Sequence, residues 1–214
     1  MRYAPVKIKV WGSLACFTRP EMKVERVSYE VMTPSAARGI LEAIFWKPEF
    51  RWEVREISIL KPIRFYSIVR NEVNNRAVFS TALQWSQKGG GYFADGGDKS
   101  RAQRHTLALR DVAYVITADV AVQPGVEEDP AKYRDQFRRR VARGQCYLTP
   151  YLGCREFASS FEEPDDNEQP ITTTVELGRM LFDLDYQRDG RGHPRFFQAR
   201  LEQGILRIPS QMYR

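Results

Sequence analysis

The sequence of 214 residues is 43% hydrophobic and 28% charged, a balance that excludes a wholly disordered chain. Its 33 lysines and arginines exceed its 27 aspartates and glutamates, so the formal net charge is +6. Apolar runs are too short for a membrane span, and the first residues lack the apolar core of a secretion signal, so we expect a cytoplasmic protein without membrane contact.

The first half of the sequence predicts a strand, a helix and two more strands. Residues 6–10 alternate apolar side chains with lysines, which is typical of a half-buried strand. Thr33-Pro34 has the chemistry of a helix N-terminus, and Lys47-Pro48 is expected to end that helix. Residues 51–60 and 63–73 then predict two strands. The helix has one apolar face, formed by Ala37, Ile40, Leu41, Ile44 and Phe45.

The second half is predicted to hold a loop, a long strand and a basic helix. Residues 85–104 carry five glycines and no periodicity, which indicates a loop. Residues 130–143 predict a helix, because Asp129 can cap its start and Gly144 can end it. Between them lies a long strand region whose one apolar face comprises Val112, Tyr114, Ile116, Ala118, Val120 and Val122.

The order of these elements predicts an α+β fold. It permits a βαββαβ, ferredoxin-like domain over residues 1–161. The acidic run 162–170 is interpreted as an exposed linker. Residues 171–214 predict three short strands, which would form a smaller C-terminal antiparallel β-sheet domain.

Positive charge is concentrated around the second helix. Such a cluster indicates a polyanion-binding surface or a solvated face without a ligand, and composition leaves both interpretations open. Lys132 lies in the first helical turn, where free backbone N–H groups favour an anion, so a bound phosphate would explain it. Against one acid, Asp135, residues 131–155 contain Lys132, Arg134, Arg138, Arg139, Arg140, Arg143 and Arg155.

Two further candidates have a structural interpretation beside the functional one. Tyr133 shares a four-residue spacing with Phe137 and Val141, which predicts a core position on the basic helix. His105 is in phase with two leucines of its strand, so an inward, hydrogen-bonded histidine competes with an acid–base role.

The glycine-rich segment is not a nucleotide-binding P-loop, because Asp98 precedes Lys99-Ser100 where that motif needs glycine. Lys99 and Arg104 can still close over a phosphate backbone, unless the segment is only a flexible connection. Three cysteines without a CxxC pair and only two histidines make a zinc site improbable, so we expect no metal and no cofactor. Aromatic residues that either stack on bases or lie in the core are Tyr92, Phe93, Trp46 and Trp52.

Several blocks together resemble one known family: FWKPEFRW at 45–52, residues 59–73, residues 103–116, YLGCREF at 151–157 and the tail from 177 to 209. Over essentially its whole length the chain is similar to the repeat-RNA-processing subunit of type I-C CRISPR surveillance complexes, in the RAMP superfamily. The resemblance implies a RAMP-like and RRM-like ferredoxin domain followed by an antiparallel sheet. It also implies an endoribonuclease that binds the hairpin repeat of the CRISPR precursor RNA and cuts at its 3′ base.

Family members are thought to stay on the resulting 5′ handle and to assemble with the other Cascade subunits. Their cleavage is metal-independent: the ribose 2′-hydroxyl attacks the adjacent phosphate, which leaves a 2′,3′-cyclic phosphate and a 5′-hydroxyl. The family pattern places a tyrosine before Trp-Lys-Pro and a Lys-His pair before the second helix. Here Lys132 matches, whereas Phe45 replaces the tyrosine and Tyr133 replaces the histidine.

The resemblance thus implies a catalytic group of Lys132, Tyr133 and Phe45. We expect Lys132 to be the electrophile and Tyr133, with a lowered pKa, to transfer a proton or bind phosphate. Phe45 would mark the site and stack on a base, and His105 would lend a further acid–base group. The RNA-binding residues are expected to be Arg134, Arg138, Arg139, Arg140, Arg143, Lys47, Lys99, Arg104 and His105.

Two other functions remain open from the sequence. Loss of the tyrosine and the histidine fits a non-catalytic subunit that only binds the RNA handle. An arginine-rich surface also fits a general nucleic-acid binder, including one for double-stranded DNA, because phosphate contacts carry no base information.

Overall fold

A computed structural model describes residues 3–22, 24–74, 78–91, 101–186, 190 and 192–213. The described strands are β1 (Val6–Ala15), β2 (Arg26–Val27), β3 (Phe50–Ile59), β4 (Phe65–Val73), β5 (Arg101–Val122), β6 (Ser160–Glu162), β7 (Val175–Tyr186), β8 (Gly192–Glu202) and β9 (Ile205–Arg207). The helices are α1 (Pro34–Ile44), α2 (Phe79–Lys88), α3 (Pro130–Ala142) and a short 3₁₀ helix, Ser210–Tyr213. None of the described helices has the length and apolar character to cross a membrane.

The long strand β5 is the centre of the sheet. β1 pairs with it antiparallel on one side and β3 on the other, and β6 pairs with β1. The resulting order β6-β1-β5-β3, with α1 between β1 and β3 and α3 between β5 and β6, is that of a βαββαβ ferredoxin-like unit. The predicted α+β, ferredoxin-like fold is therefore confirmed.

The sheet continues from β3 into the C-terminal strands. β9 pairs with β3 through Ile57 and Leu206, and β8 and β7 follow in a hairpin. The Ile171 amide donates to the carbonyl of Ile59 at 2.8 Å. The three predicted C-terminal strands are thus present. The division into two domains around 162–170 stays a prediction, to which the structure adds a sheet that is continuous across it.

Helix α1 confirms its predicted start but ends earlier than expected. The Thr33 hydroxyl accepts from the amide of Ala36, and Pro34 is the first helical residue. At the other end Phe45 is already extended, with φ of −154°. Its carbonyl accepts the indole N–H of Trp52 at 2.9 Å and its ring enters the core, so tertiary packing ends the helix before Lys47-Pro48 is reached.

The segment predicted as a loop, 85–104, is in part regular structure. Helix α2 extends to Lys88, β5 already begins at Arg101, and residues 92–100 lie outside the described part of the chain. None of the α2 residues is buried and its N-cap, Val78, provides no side-chain cap, so the helix lacks both sequence signals. β4 and the first half of β5 pair from Phe65↔Leu109 to Val73↔Arg101 and form a hairpin, here called the arm.

Candidate functional site

The N-terminus of α3 is a capped and fully formed helix start. The Asp129 carboxylate accepts from the amide of Ala131 at 2.9 Å, and Pro130 follows at the first helical position. The hydroxyl of Tyr3 donates to the other Asp129 oxygen at 2.8 Å. The first turn is therefore fixed before any ligand arrives, and the predicted cap is confirmed.

Lys132 projects from this first turn into solvent. Its side chain is 54% exposed, and its Nζ lies 2.9 Å from the Glu128 carboxylate. The hydrogen bond that the Lys132 ammonium donates to Glu128 raises the pKa of Lys132, so the ammonium group keeps its proton at neutral pH. A single pair between half-exposed side chains is weak, so a phosphate can displace Glu128.

Tyr133 faces the opposite way, into the core. It is 1% exposed and its ring centroid lies 4.9 Å from that of Phe50. Burial raises the pKa of Tyr133, the charges of Glu49 and Glu128 raise it further, and Lys132 alone opposes them. The expectation of a lowered pKa was wrong, because burial and two carboxylates outweigh one ammonium group.

Phe45 is buried in the same aromatic cluster. It is 1% exposed, its ring centroid lies 5.6 Å from that of Phe50, and the Arg140 guanidinium lies 5.1 Å from the ring. The structure thus brings the Phe45 and Tyr133 positions together through Phe50. Stacking of Phe45 on a base does not fit this structure, because its ring is covered by core residues.

Glu49, which the sequence did not single out, lies between α1 and β3 beside this cluster. Its Oε2 is buried, and among the described residues it has no hydrogen-bond partner. Leaving such an oxygen without a donor costs at least about 1–3 kcal/mol, so it calls for an explanation such as a ligand or a chemical role. The Glu49 charge also raises the pKa of Tyr133 and of Lys132. No local sequence signal marks this residue, since only the tertiary fold isolates its carboxylate.

Two of the arginines expected to bind RNA hold the fold instead. Arg134 is 4% exposed, its guanidinium lies 5.5 Å from the Tyr3 ring, and burial lowers its pKa. Arg140 donates to the carbonyl of Ile44 at 2.7 Å and so caps the C-terminus of α1. Their assignment to RNA binding is corrected for this reason.

The exposed face of α3 carries three cations in a row. Lys132, Arg139 and Arg143 are exposed and separated by seven and four residues, so at about 100° per residue they lie within roughly 40° of one another. We call these three residues the basic stripe. In the described part of the chain neither Arg139 nor Arg143 has an ion-pair partner. Arg138 is half exposed but points to another side of the helix, 3.8 Å from Asp135.

Two exposed aromatic residues lie near the C-terminus of α1. Trp46 is 55% exposed and Tyr147 is 81% exposed. The Tyr147 amide donates to the carbonyl of Ala43 at 2.9 Å, which holds the segment after α3 against the last turn of α1. Lys47 next to them is partly exposed, whereas Trp52 is a core residue and unavailable for stacking.

The remaining predicted RNA-binding residues belong to the arm or lie outside the described residues. Arg104 is 3.1 Å from Glu72, within an ion-pair network at the base of the arm. This arm network also pairs Arg26 with Glu72 at 3.3 Å and with Glu156 at 3.1 Å, and Arg70 with Glu156.

His105 is exposed, so the expectation that it points inward was wrong. It pairs with Val69 on the arm. Of the two leucines that share its side of the strand, Leu109 is buried in the core and Leu107 is exposed. Lys99, Tyr92 and Phe93 lie outside the described residues.

Comparison with known proteins assigns this arrangement to one group. The Cas5d family model, described as CRISPR-associated protein (Cas_Cas5), matches residues 6–209. A protein of Thermus thermophilus named CRISPR pre-crRNA endoribonuclease Cas5d is 44% identical over 227 residues, which cover 98% of this chain and 93% of the relative. A protein of the same name from Mannheimia succiniciproducens is 43% identical over 216 residues, covering 95% and 94%.

The same fold occurs in solved structures. A crystal structure of a CRISPR-associated protein superposes with a TM-score of 0.69 at 20% identity and covers 99% of this chain and 95% of that protein. At this level of identity the likeness concerns the fold alone.

Proposed function

The chain belongs to the Cas5d family of CRISPR-associated proteins, and from this premise we propose that it is an endoribonuclease that processes CRISPR precursor RNA. The observation that carries the proposal is the basic stripe, which begins with a protonated lysine at a capped helix N-terminus. Pro130 has no N–H and the amides of Ala131 and Lys132 are hydrogen-bonded to Asp129, so a phosphate is held here by the Lys132 ammonium group together with the positive end of the helix dipole.

The basic stripe binds the phosphate backbone of the repeat RNA. Within the described ranges of the chain, Arg139 and Arg143 have no carboxylate that a phosphate must displace, so binding there is not opposed by the loss of an ion pair. The exposed rings of Trp46 and Tyr147 lie beside the path and stack on unpaired bases. Affinity is therefore expected to depend strongly on salt.

Cleavage uses the RNA's own 2′-hydroxyl. Its oxygen loses its proton and attacks the adjacent phosphorus while the bond to the 5′ oxygen breaks. The leaving 5′ oxygen takes a proton from solvent, so the products are a 2′,3′-cyclic phosphate and a 5′-hydroxyl. Lys132 stabilises the negative charge that grows on the phosphate oxygens. We predict that this step needs no metal and no cofactor.

Glu49 is the proton acceptor we assign to the reaction. The residue is partly exposed and only its Oε2 is buried, so the 2′-hydroxyl meets the carboxylate at its other oxygen, Oε1, and gives up its proton there. Tyr133 and Phe45 are assigned to packing, because their rings are buried and the Tyr133 hydroxyl keeps its proton at neutral pH. The aromatic cluster thus positions Glu49 and the first turn of α3 relative to each other.

The partners that follow are the repeat RNA, before and after cutting, and the other subunits of a type I-C Cascade complex. Such a complex works in the cytoplasm, where the transcript is made. Double-stranded DNA is a further partner that the basic stripe can bind through its phosphates.

A cleavage assay with matched RNAs tests the function. The purified protein is incubated in EDTA with its repeat RNA and with the same RNA carrying one 2′-deoxy nucleotide before the cut. We expect cleavage of the unmodified RNA only, with a cyclic phosphate on the 5′ product. Binding of both RNAs is followed on native gels.

Three outcomes would contradict the proposal. Cleavage of the 2′-deoxy RNA would exclude attack by the 2′-hydroxyl. Tight binding without any cleavage would identify a handle-binding subunit that has lost its chemistry, and equal affinity for unrelated DNA would identify a general nucleic-acid binder.

A further inference from the structure

Two of the three cysteines meet where β1 ends. Cys16 follows β1 directly and is 0% exposed, and its amide donates to the carbonyl of Leu152 at 3.0 Å. Cys154 is partly exposed, and its thiol lies 3.6 Å from the carbonyl oxygen of Cys16. The Thr18 hydroxyl contacts both sulfurs, at 3.5 Å from Cys16 and 4.0 Å from Cys154, so the two thiols are neighbours across it.

The backbone is built for this close approach. Gly153, between Leu152 and Cys154, has φ of +85°, and a Cβ on it would lie 2.1 Å from the Cys16 carbonyl oxygen. A residue with a side chain would therefore separate the two strands of chain that carry the cysteines. The pairing of the thiols is thus imposed by the fold.

Polar groups around Cys154 favour its thiolate. An Arg26 guanidinium nitrogen donates to the sulfur at 3.9 Å, and the Thr18 hydroxyl lies 4.0 Å from it. The neighbouring Cys16 thiol is the largest cause that lowers the pKa of Cys154, although burial and the charge of Glu156 oppose it. The neighbouring Cys154 thiol and burial raise the pKa of Cys16.

A cavity lies beside this cluster. Thr18, whose hydroxyl is 3.5 Å from the Cys16 sulfur, also lines a cavity of about 330 Å³, together with Tyr151 and Gly153. Partial exposure next to a guanidinium is the environment in which cysteines react. Cys146, which is exposed and lies outside this cluster, provides an internal comparison.

We propose that Cys154 is an oxidation site for small hydroperoxides, with Cys16 as its resolving thiol. The Cys154 thiolate attacks a peroxide oxygen, the O–O bond breaks, and the leaving oxygen takes a proton from solvent, which gives a sulfenic acid and water. The Cys16 sulfur then attacks the Cys154 sulfur, and the sulfenic hydroxyl leaves as water with the Cys16 proton. Two thiols lose two electrons to form one disulfide, and hydrogen peroxide gains them to form two waters.

The first test oxidises the full-length, freshly reduced protein with one equivalent of hydrogen peroxide at pH 7. Peptide mass spectrometry is expected to show a Cys16–Cys154 disulfide while Cys146 stays a free thiol. In Cys16→Ser, dimedone should trap a sulfenic acid on Cys154. Oxidation of Cys146 ahead of Cys154, or a disulfide that includes Cys146, would overturn the proposal.

The second test does not depend on any variant folding. The alkylation rates of Cys154 and Cys146 by iodoacetamide are measured in the unmodified protein from pH 6.5 to pH 9. Because its surroundings lower the pKa of Cys154, its rate relative to Cys146 should fall at least about tenfold over this range. A constant ratio would refute the assignment, and Arg26→Gln should make the fall smaller.

Discussion

The basic side chains of α3 and those of the arm network are similar in type but differ in whether a carboxylate lies beside them. Arg26, Arg70 and Arg104 are each paired with Glu72 or Glu156. On the basic stripe Arg139 and Arg143 have no such partner in the part of the chain that the structure describes. For these arginines, pairing with a carboxylate, and not the number of charges, separates residues that hold the fold from residues that are free for a ligand. Lys132 has only an exposed, weak pair with Glu128.

The same distinction applies to the carboxylates. Glu72 is shared by two arginines, whereas the buried oxygen of Glu49 has no donor among the described residues. A paired carboxylate contributes through its ion pairs, and an unpaired buried one is tolerated only where it has another use. Four variants test whether this division holds, beginning with the one expected to have the largest effect.

Lys132→Ala should reduce the rate of RNA cleavage by about 10³-fold, because it removes the cation that faces the phosphate in the transition state. Repeat RNA binding should change by less than about threefold, since Arg139 and Arg143 remain. Single-turnover cleavage and native gels measure the two effects separately. Lys132→Arg, which keeps the charge, is the control, and normal cleavage by Lys132→Ala would remove this residue from the mechanism.

Glu49→Gln should slow cleavage by about 10²-fold, because the amide keeps the shape of the side chain but cannot accept a proton. The matched variant is Glu72→Gln, in the arm network, which should cleave at the normal rate. If the two variants cleave equally well, the lack of a partner at Glu49 has no chemical meaning.

Arg139→Ala combined with Arg143→Ala should weaken repeat RNA binding about tenfold. The slope of log affinity against log salt should also become shallower by about 0.7–0.9 for each lost phosphate contact. Arg104→Ala should leave the slope unchanged and lower the melting temperature by no more than about 4 °C. A change of slope in Arg104→Ala would break the distinction between stripe and arm.

Tyr133→Phe should have the smallest effect, with cleavage within about threefold of the unmodified protein from pH 6 to pH 9. The phenol keeps its proton throughout this range, because its pKa is raised. Because the pKa of Tyr133 is raised in the folded state, its contribution to stability is present below the ordinary value near 10 and is lost as the pH rises above it. The stability of Tyr133→Phe should therefore fall less steeply in strong alkali than that of the unmodified protein. Loss of cleavage in a folded Tyr133→Phe would restore the hydroxyl to the chemistry.

Local sequence signals predicted the elements that carry the site. Thr33-Pro34 and Asp129 are helix caps whose chemistry depends only on neighbouring residues, and both were confirmed. The alternation of β5 predicted its buried face for the same reason. Helix α2 was not predicted, because none of its residues is buried and a buried apolar stripe is the pattern that indicates a helix.

The roles of single residues in the site depended on distant parts of the chain. Arg134 is adjacent to Tyr133 and three residues from Phe137, so its place at the edge of the apolar stripe was visible, but the Tyr3 ring that covers it was not. Glu49 has no neighbour in sequence that marks it. Its isolation arises only when α3 packs against the turn between α1 and β3.

The pairing of β9 with β3 has a consequence for how the chain is made. The edge of β3 at Glu56, Ile57 and Ser58 has to wait for Ile205, Leu206 and Arg207, which are synthesised after all the other described strands. Until then the nascent chain exposes an unpaired strand edge, which is a template for pairing with another copy. Chains that stop before β9 are therefore expected to aggregate during expression, even though the basic helix and its site are already complete.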